Sequence, residues 1–286
     1  MSTDLDVLLG LAARGRMAVL TGAGVSTESG IPDYRGEGTR QRAKNPIDWK
    51  TFSASHAARS RYWARSLAGW ARFSGARPNR GHIAIAEMER AGRLTGLVTQ
   101  NVDRLHHEAG SERVVELHGA LAETRCVRCG ERFPRAAVQA RMIADNPAFA
   151  EVDPSQILPD GDSTLPDELV ERFVPPTCTS CGDYLRPDVV FFGESVPRPK
   201  VDEAMAMVDA ADALLIVGTS LAVFSGYRFL RRAVERKKPI AIVNVGPVRG
   251  EEDATIKIEA GAGGVLAELV ERSRPAWSAD VAARMG

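Results

Sequence analysis

Residues 16–30, RMAVLTGAGVSTESG, join a short apolar run to a glycine-rich turn, and this stretch decides the fold. The run from Arg16 to Thr21 predicts a buried strand. Glycines at positions 22 and 24 would let backbone amides approach a pyrophosphate, and a helix N-terminus behind them would add partial positive charge. The third glycine of the dinucleotide pattern G-x-G-x-x-G is missing, so the turn alone fits a plain strand-to-helix connection about equally well.

Apolar runs and helical spacings alternate along the rest of the chain. The spacing predicts helices at residues 3–14 and Gly81–Ala91, with a strand at Leu94–Thr99. Strands that alternate with helices predict an α/β fold, a Rossmann-like parallel sheet with helices on both faces, which binds ligands beyond the carboxyl ends of its strands. The later segments predicted in this way are strands at Asp188–Phe192, Ala213–Val217 and Pro239–Val243, a helix with Val201, Ala204, Met205 and Val208 on one face, and a helix at about Gly226–Arg236.

Four cysteines interrupt this rhythm in two C-x-x-C pairs, Cys126 with Cys129 and Cys178 with Cys181. Two such pairs predict a tetrahedral Zn²⁺ site with four thiolate ligands. Four thiolates leave no position for a water molecule, so the zinc would be structural rather than catalytic.

The chain therefore divides into three predicted parts. Residues 1–36, 85–119 and 188–286 would form the Rossmann-like domain. Residues 37–84, rich in Arg, Trp and Ser, would form a loop followed by a helical module. Residues 120–187 would form the inserted zinc-binding module.

Composition excludes several classes of protein. The 37 basic and 37 acidic residues give a net charge of zero, which argues against a nucleic-acid or membrane surface. No apolar run has the length of a membrane span. The first ten residues contain Asp4 and Asp6 and lack the basic region of a signal peptide. We therefore expect a cytoplasmic protein if the source is bacterial, or a mitochondrial matrix protein if it is eukaryotic and trimmed.

Several strings, in order from about residue 10 to residue 270, resemble the motifs of the sirtuin family. Residues 21–35, TGAGVSTESGIPDYR, are similar to the signature G-A-G-x-S-x-x-S-G-I-P-D-F-R, with Tyr34 in place of the commoner Phe. Residues 99–110, TQNVDRLHHEAG, are similar to T-Q-N-[IV]-D-x-L-H-x-x-A-G. The other matching strings are ELHG at 116–119, LRPDVVFFGE at 185–194, GTSL at 218–221 and NVG at 244–246.

The resemblance implies a catalytic role for His118, which matches the histidine that acts as the general base in sirtuins. An imidazole suits this task because its ordinary pKa of about 6.5 lets it accept a proton near neutral pH. Asn101 and Asp103 match residues that act beside it. His106 and His107 are weaker candidates, because the family pattern has a histidine at 106 without a catalytic role.

The resemblance also implies binding residues for NAD and for a peptide. The segment 33–35 would close over the nicotinamide ribose, and the segment 190–194 would pair in β fashion with the substrate. The implied NAD contacts are Gly22, Ala23, Gly24, Thr27, Asp33, Tyr34, Arg35, Gln100, Asn101, Asp103, Gly218, Thr219, Ser220, Asn244, Val245, Gly246 and Ala262. The implied substrate contacts are Val190, Phe191, Phe192, Gly193 and Glu194.

The activity implied by the resemblance is NAD-dependent removal of acyl groups from protein lysines, by a monomer. The acyl oxygen would attack the ribose C1′ carbon as nicotinamide leaves, and His118 would accept a proton from a ribose hydroxyl. NAD would be consumed, not reduced. Two alternatives remain: an ADP-ribosyltransferase that uses the same carbon, and a non-enzymatic NAD-sensing zinc-ribbon module, against which the neutral charge and His118 argue.

The sequence predicts the type of reaction more closely than the acyl group that is removed. Many sirtuins have x-V-x-P after the residue equivalent to Leu221, whereas this chain has Ala222–Ser225, which looks closest to the mitochondrial class II type with lipoamidase or ADP-ribosyltransferase roles. Tyr62 and Arg65 have the Tyr-x-x-Arg spacing with which desuccinylating sirtuins bind a distal carboxylate. They lie further from Gly81 than expected, which favours a plain helix surface. Long, branched and lipoyl groups are the alternatives for the substrate acyl group.

Overall fold

The computed structural model describes residues 2–33, 47–149, 165 and 170–285, without the side chains of residues 2, 3 and 278–285. Tyr34 and Arg35, two of the predicted NAD contacts, lie outside the described residues, as does most of the stretch between the two cysteine pairs from residue 150 to 169.

Two sheets organise the described residues. Six parallel strands form the larger sheet in the order β3-β2-β1-β7-β8-β9, and three antiparallel strands form the smaller one in the order β5-β4-β6. The strands are β1 (Met17–Thr21), β2 (Leu94–Thr99), β3 (Val114–Glu116), β4 (Gly119–Cys126), β5 (Arg132–Pro134), β6 (Leu185–Val189), β7 (Ala213–Val217), β8 (Ile240–Val243) and β9 (Ile256–Ile258).

Helices cover both faces of the parallel sheet and pack beside the small sheet. They are α1 (Ser2–Arg14), α2 (Trp49–Ala54), α3 (His56–Gly75), α4 (Arg80–Arg90), α5 (Leu105–Glu108), α6 (Arg135–Asp145), α7 (Arg198–Ala210), α8 (Phe224–Glu235) and α9 (Ala262–Met285). No helix within the described ranges is long and apolar enough to span a bilayer.

The parallel sheet is buried on both faces. Every residue of β1, β2, β7 and β8 is buried, which explains why these strands appear in the sequence as continuous apolar runs. One hydrophobic cluster includes Leu8, Leu97 and Leu266, and a second includes Leu20, Ile216 and Phe229. The α/β fold and the predicted positions of β1, β2, β7 and β8 are confirmed.

Local sequence signals fix where several helices begin. Asp48 and Ser55 accept hydrogen bonds from backbone amides three residues later and so cap α2 and α3. Asn79 and His82 form a reciprocal capping box at the start of α4. These caps set the path of the helical segment that leads back to β2.

Two predictions of secondary structure were wrong. The apolar run Asp188–Phe192 was expected in the parallel sheet, but the strand is Leu185–Val189 and pairs antiparallel with β4. Phe191 lies beyond that strand and packs into an aromatic cluster, so its apolar character reflects side-chain packing rather than a buried strand. A helix N-terminus was expected behind the glycine turn, but after β1 the chain forms two short 3-10 turns, Ala23–Val25 and Thr27–Ser29.

A third hydrophobic cluster joins the small sheet to the helical segment. It contains Phe52, Trp63 and Leu185 together with two of the cysteines, Cys126 and Cys178. The indole nitrogen of Trp63 donates to the carbonyl of Leu185 at 3.2 Å. The helices of residues 49–75 and the cysteine-containing sheet therefore share one core.

Candidate active site

Loops that carry most of the predicted site residues meet at one edge of the parallel sheet. In this sheet β2 and β3 follow on one side of β1, whereas β7, β8 and β9 follow on its other side. The topological switch point therefore lies between β1 and β7, the position at which open α/β sheets bind ligands. The loops that leave this carboxyl edge begin with Gly22, Gln100, Leu117, Gly218 and Asn244.

Two glycine-containing turns touch each other at this edge. The amide of Gly24 donates to the carbonyl of Gly218 at 2.8 Å. A Cβ added at Gly24 would lie 2.8 Å from the Cα of Gly218, and one added at Gly22 would lie 2.6 Å from the Cβ of Thr219. Gly218 also has a φ of 61°, in the left-handed region that favours glycine. Glycine is therefore required for the two loops to approach this closely.

A buried network of hydrogen-bonded polar side chains lies beside this turn. The Ser26 hydroxyl donates to Asp103 Oδ2 at 2.7 Å and accepts from Asn101 Nδ2 at 3.0 Å. His82 Nε2 lies 3.3 Å from the same hydroxyl. The structure thus brings Asn101 and Asp103 together through Ser26, a residue of the string 21–35 that was not among the predicted NAD contacts.

The electrostatics of this network favour uncharged groups. Burial raises the pKa of Asp103, although hydrogen bonds from Ser26 and the amide of Leu105 oppose that shift. Burial lowers the pKa of His82 to about 4, so this imidazole is neutral at pH 7.

Gln100 connects three of the loops. Its side-chain amide donates to Thr219 Oγ1 at 2.9 Å and to the carbonyl of Thr21 at 3.3 Å. The main-chain carbonyl oxygen of Gln100 lies 2.9 Å from His118 Nδ1. Gln100 is therefore a structural centre of the crevice as well as a predicted NAD contact.

His118 is held at both ring nitrogens. Nδ1 must carry the hydrogen, because the carbonyl of Gln100 can only accept. Nε2 is then the unprotonated nitrogen, and it accepts from the Ser225 hydroxyl at 2.9 Å. Burial lowers the pKa of His118, and the positive charge of Lys200 acts in the same direction while the bond to Gln100 opposes it. The ring is neutral at pH 7 and its Nε2 can accept a proton.

The other two histidines of this region have different surroundings. His106 is fully buried, its Nε2 lies 3.0 Å from Thr21 Oγ1, and burial holds its pKa well below the ordinary value. His107 Nε2 lies 3.6 Å from a carboxylate oxygen of Glu116. A cavity of about 460 Å³ borders Asp103, with Trp70 and His107 in its wall.

The remaining predicted NAD contacts are spread along the same edge. Thr27 donates to the carbonyl of Gly24 at 3.0 Å, and Asn244 donates to the carbonyls of Val245 and Gly246. Ala262 is buried at the start of α9, so its methyl group belongs to the core. Ala23, Asp33 and Ser220 are partly exposed.

The predicted substrate segment lies next to His118. The amide of Val190 donates to the carbonyl of His118 at 2.8 Å. Phe191 is buried, whereas Phe192 and Gly193 are exposed. Glu194 pairs with the buried guanidinium of Arg186 at 2.5–2.7 Å and accepts from the amide of Phe191. Phe191 and Glu194 thus stabilise the conformation of this segment through internal contacts. The motif alone does not distinguish such a structural role from direct contact with a substrate.

The four cysteines cluster although 48 residues separate the two pairs. The Sγ atoms of Cys126 and Cys181 lie 3.4 Å apart, those of Cys129 and Cys178 lie 3.7 Å apart, and all four fall within 4.8 Å of one another. Four sulfurs at about 2.3 Å from a central zinc would be about 3.8 Å apart. The donor set and its spacing fit the predicted structural Zn²⁺.

Comparisons with known proteins agree with this geometry. The family model described as the Sir2 family matches residues 22–225. The chain is 47% identical over 264 residues to the NAD-dependent protein deacylase Sirt4 of Drosophila melanogaster, covering 91% of this chain and 84% of the relative. It is 47% identical over 254 residues to the mitochondrial NAD-dependent protein lipoamidase sirtuin-4 of Bos taurus, covering 88% and 80%.

A solved structure extends the likeness to three dimensions. The complex titled Sir2-p53 peptide-NAD+ superposes with a TM-score of 0.76 at 29% sequence identity, covering 94% of this chain and 98% of that chain. The matched residues 22–225 include the glycine turn, the Ser26 network, His118 and the four cysteines. The chain belongs to the Sir2 family, the sirtuins.

Proposed function

We propose that this chain is an NAD-dependent protein-lysine deacylase that transfers the acyl group to ADP-ribose and releases nicotinamide and free lysine. One observation carries the proposal: a neutral, doubly held His118 lies between the Gln100 loop and the segment that begins at Val190. A base in this position borders both the crevice proposed for NAD and the segment 190–194 proposed for the peptide.

The glycine turn and its neighbours would hold NAD. Gly22 and Gly24 leave no room for a Cβ against the 218–219 loop, and their own amides donate to the carbonyls of Val217 and Gly218. These glycines would therefore hold the two loops together at the strand edge that a pyrophosphate would approach. NAD supplies the electrophilic ribose carbon from which nicotinamide departs. The amide of Asn101 and the carboxyl of Asp103, fixed by Ser26, would orient the nicotinamide ribose.

His118 would accept the proton of a ribose hydroxyl at Nε2. The lowered pKa of His118 keeps it unprotonated at pH 7, as a base requires. A positioned base of this kind contributes about 10²–10⁴-fold to the rate.

The segment 190–194 would bind the acyl-lysine peptide by adding it as a strand. Such binding uses main-chain hydrogen bonds for affinity and side-chain pockets for specificity. The neighbouring cysteines would hold Zn²⁺ as a structural ion, and residues 120–187 would form its module beside the nucleotide-binding part and the helical module. We expect the whole to be a monomer, which light scattering after gel filtration can test.

The acyl group is best approached through Tyr62 and the relatives. Tyr62 is buried, and its ring makes edge contacts with Trp63 and Phe191 at centroid distances of 5.3 and 5.6 Å. This position does not support a Tyr-x-x-Arg pair that binds a distal carboxylate. Because one relative is named a lipoamidase, lipoyl-lysine is the first acyl group to test after acetyl-lysine.

The test is an incubation with NAD and peptides that carry acetyl, lipoyl, succinyl, glutaryl, methylglutaryl or myristoyl lysine. Mass spectrometry follows the peptide and O-acyl-ADP-ribose, with His118→Ala as the matched control. We expect stoichiometric O-acyl-ADP-ribose from at least one peptide and a loss of at least 10²-fold in the variant. Nicotinamide release with ADP-ribosylated protein and no O-acyl product would instead establish the transferase. NAD that survives every peptide would overturn the proposal.

A further inference from the structure

Ser225 is the side chain in contact with the reactive nitrogen of His118. It is the second residue of α8, and its hydroxyl lies 2.9 Å from Nε2. The sirtuin pattern x-V-x-P has proline at this position, and proline has no hydroxyl group. The contact therefore depends on a residue in which this chain departs from the pattern.

The start of α8 is pressed against the loop that holds the other side of the imidazole. A Cβ added at Gly226 would lie 2.5 Å from Oε1 of Gln100. The carbonyl of the same Gln100 accepts from His118 Nδ1. One residue thus fixes both the ring and the helix that carries Ser225, and the distance between the hydroxyl and Nε2 follows from this packing.

A hydroxyl can serve both protonation states of an imidazole. It donates to the lone pair of neutral Nε2, and after rotation about its C–O bond it accepts from a protonated Nε2–H. Hydrogen bonds to a charged group are stronger than those between neutral groups, so the hydroxyl stabilises the imidazolium more than the imidazole.

We propose that Ser225 is a positioning residue for His118, which holds the ring plane before the reaction and stabilises the imidazolium after it. The inference rests on the proposed function in assigning the base role to His118. Before the step, the ribose hydroxyl takes the place of the Ser225 hydroxyl at the Nε2 lone pair. The ribose O–H bond then breaks, its electron pair stays on the ribose oxygen, and an Nε2–H bond forms. Once the ribose oxygen has moved away, the Ser225 oxygen accepts from Nε2–H, and no covalent bond of Ser225 changes.

The charges that face His118 set the background for this effect. Lys200 of α7 lowers the pKa of His118, and its ammonium group donates to the carbonyl of Glu116. The carboxyl groups of Asp103 and Glu116 belong to the adjoining loop and strand. None of these groups changes in a Ser225 variant, so a shift in the titration of His118 reports on the hydroxyl.

Nitrogen-15 NMR of the histidines tests the proposal in the ligand-free protein, without any turnover. The chain has five histidines, and the His118 signals are identified by their loss in His118→Gln. We expect Ser225→Ala to lower the pKa of His118 by roughly half a unit to one unit. Ser225→Thr, which keeps the hydroxyl, should leave that pKa and the tautomer unchanged. Ser225→Pro, tolerated in the first turn of a helix, should behave like the alanine variant.

Two results would overturn the proposal: an unchanged titration of His118 in Ser225→Ala, or an equal shift in Ser225→Thr. Steady-state kinetics add a second readout. We expect kcat of Ser225→Ala to fall about 3–10-fold, with the acid limb of its pH profile moved to lower pH and KM for the peptide unchanged. If no acyl peptide is turned over, the proposed function fails while the NMR titration still decides the role of Ser225.

Discussion

The crevice at the edge of the parallel sheet lies on one side of His118 (the crevice side). The segment 185–194, which begins with β6 of the small sheet, lies on the other (the strand side), and different interactions stabilise the two. On the crevice side, neutral amides and hydroxyls such as Ser26 and Gln100 form the hydrogen bonds, and glycines allow close backbone contact. On the strand side, a buried ion pair between Arg186 and Glu194 and a four-cysteine cluster adjoin aromatic rings. The first side should be sensitive to added volume, and the second to the loss of a charge or a metal ion.

The largest expected effect is the loss of zinc. Cys126 and Cys178 are buried in the same cluster as Phe52 and Trp63, so releasing four thiolates would expose this core. Structural zinc contributes apparent binding energies of about 10–16 kcal/mol in small peptides, which is comparable with the whole stability of a typical native protein, about 5–15 kcal/mol. We expect chelation under denaturant to release one zinc per chain and to abolish deacylation.

The metal is measured with a colorimetric chelator, and the shared core is followed by tryptophan fluorescence. Refolding with added Zn²⁺ should restore activity, whereas refolding with Mg²⁺ is the matched control and should not. If the purified chain contains no zinc, or stays active without it, the strand side does not depend on a metal ion and this prediction is wrong.

Breaking the ion pair of the substrate segment should have the next largest effect. The Arg186 guanidinium stacks on Trp49 at 4.2 Å, makes two bonds to Glu194 and donates to the carbonyl of Val189. Burial alone would raise the pKa of Glu194, but the bonds from Arg186 and from a backbone amide outweigh it and hold that pKa below its ordinary value. We expect Arg186→Ala to cost about 3–5 kcal/mol in urea unfolding, because it leaves a carboxylate without its partner.

Activity measurements sharpen this prediction. In Arg186→Lys, which keeps the charge but not the two-pronged geometry, KM for the peptide should rise more than KM for NAD. Arg198→Ala, which breaks an exposed pair with Asp202, is the control and should change neither stability nor KM measurably. Equal changes in both KM values would mean that Arg186 does not act on the peptide side alone.

Acid should destabilise the crevice side through its buried histidines. Burial lowers the pKa of His82 to about 4 and also lowers the pKa values of His106 and His118. Unfolded histidine titrates near pH 6.5, so between these values the unfolded chain binds more protons and the free energy of unfolding falls as pH falls. The raised pKa values of Asp103 and Glu116 act in the opposite sense.

A single variant isolates the histidine contribution. His82→Gln keeps a donor for Ser26 but cannot be protonated, so the difference in unfolding free energy between it and the native chain should change by about 2–3 kcal/mol between pH 7 and pH 4.5. Chemical denaturation at four pH values measures this difference. Parallel curves for the two proteins would show that His82 is protonated in the folded state.

The sequence predicted the elements with clear apolar patterns and missed the three-residue strands, together with the longer helices α6 and α9. Strand β2 and helices α7 and α8 show clear apolar patterns, and the structure contains them at the predicted places. Strands β3 and β9 have three residues each, too few for any periodicity to appear. The three-stranded sheet was missed because β5 has only three residues and β6 pairs with the distant strand β4, with Arg186 opposite Arg125.

The candidate site was predicted as a set of motif residues, and their direct contacts were not. His118 stood out because a histidine matched a motif, but its contact with Ser225 joins positions that are 107 residues apart. Likewise, Ser26 and His82 are 56 residues apart, and His82 looked like an ordinary helix residue. Contacts of this kind depend on loop paths, for which the chain carries no periodic signal. The roles of the site residues stay predictions until the variants are measured.

The smallest expected effect tests whether the crevice side is limited by volume. In Gly24→Ala the new Cβ would lie 2.8 Å from the Cα of Gly218 and 2.9 Å from its carbonyl oxygen, and backbone atoms on both sides leave no flexible group to move. We expect a loss of about 1–3 kcal/mol in unfolding free energy, and a weaker affinity for NAD in calorimetric titration. Gly10→Ala is the matched control: Gly10 lies inside α1 with no atom within 4 Å of its added Cβ, so this change should stabilise the chain by about 0.5–1 kcal/mol. If Gly24→Ala proved as stable as Gly10→Ala and bound NAD normally, the two loops would have room to separate, and the contrast between a volume-limited crevice and a charge-dependent strand would no longer hold.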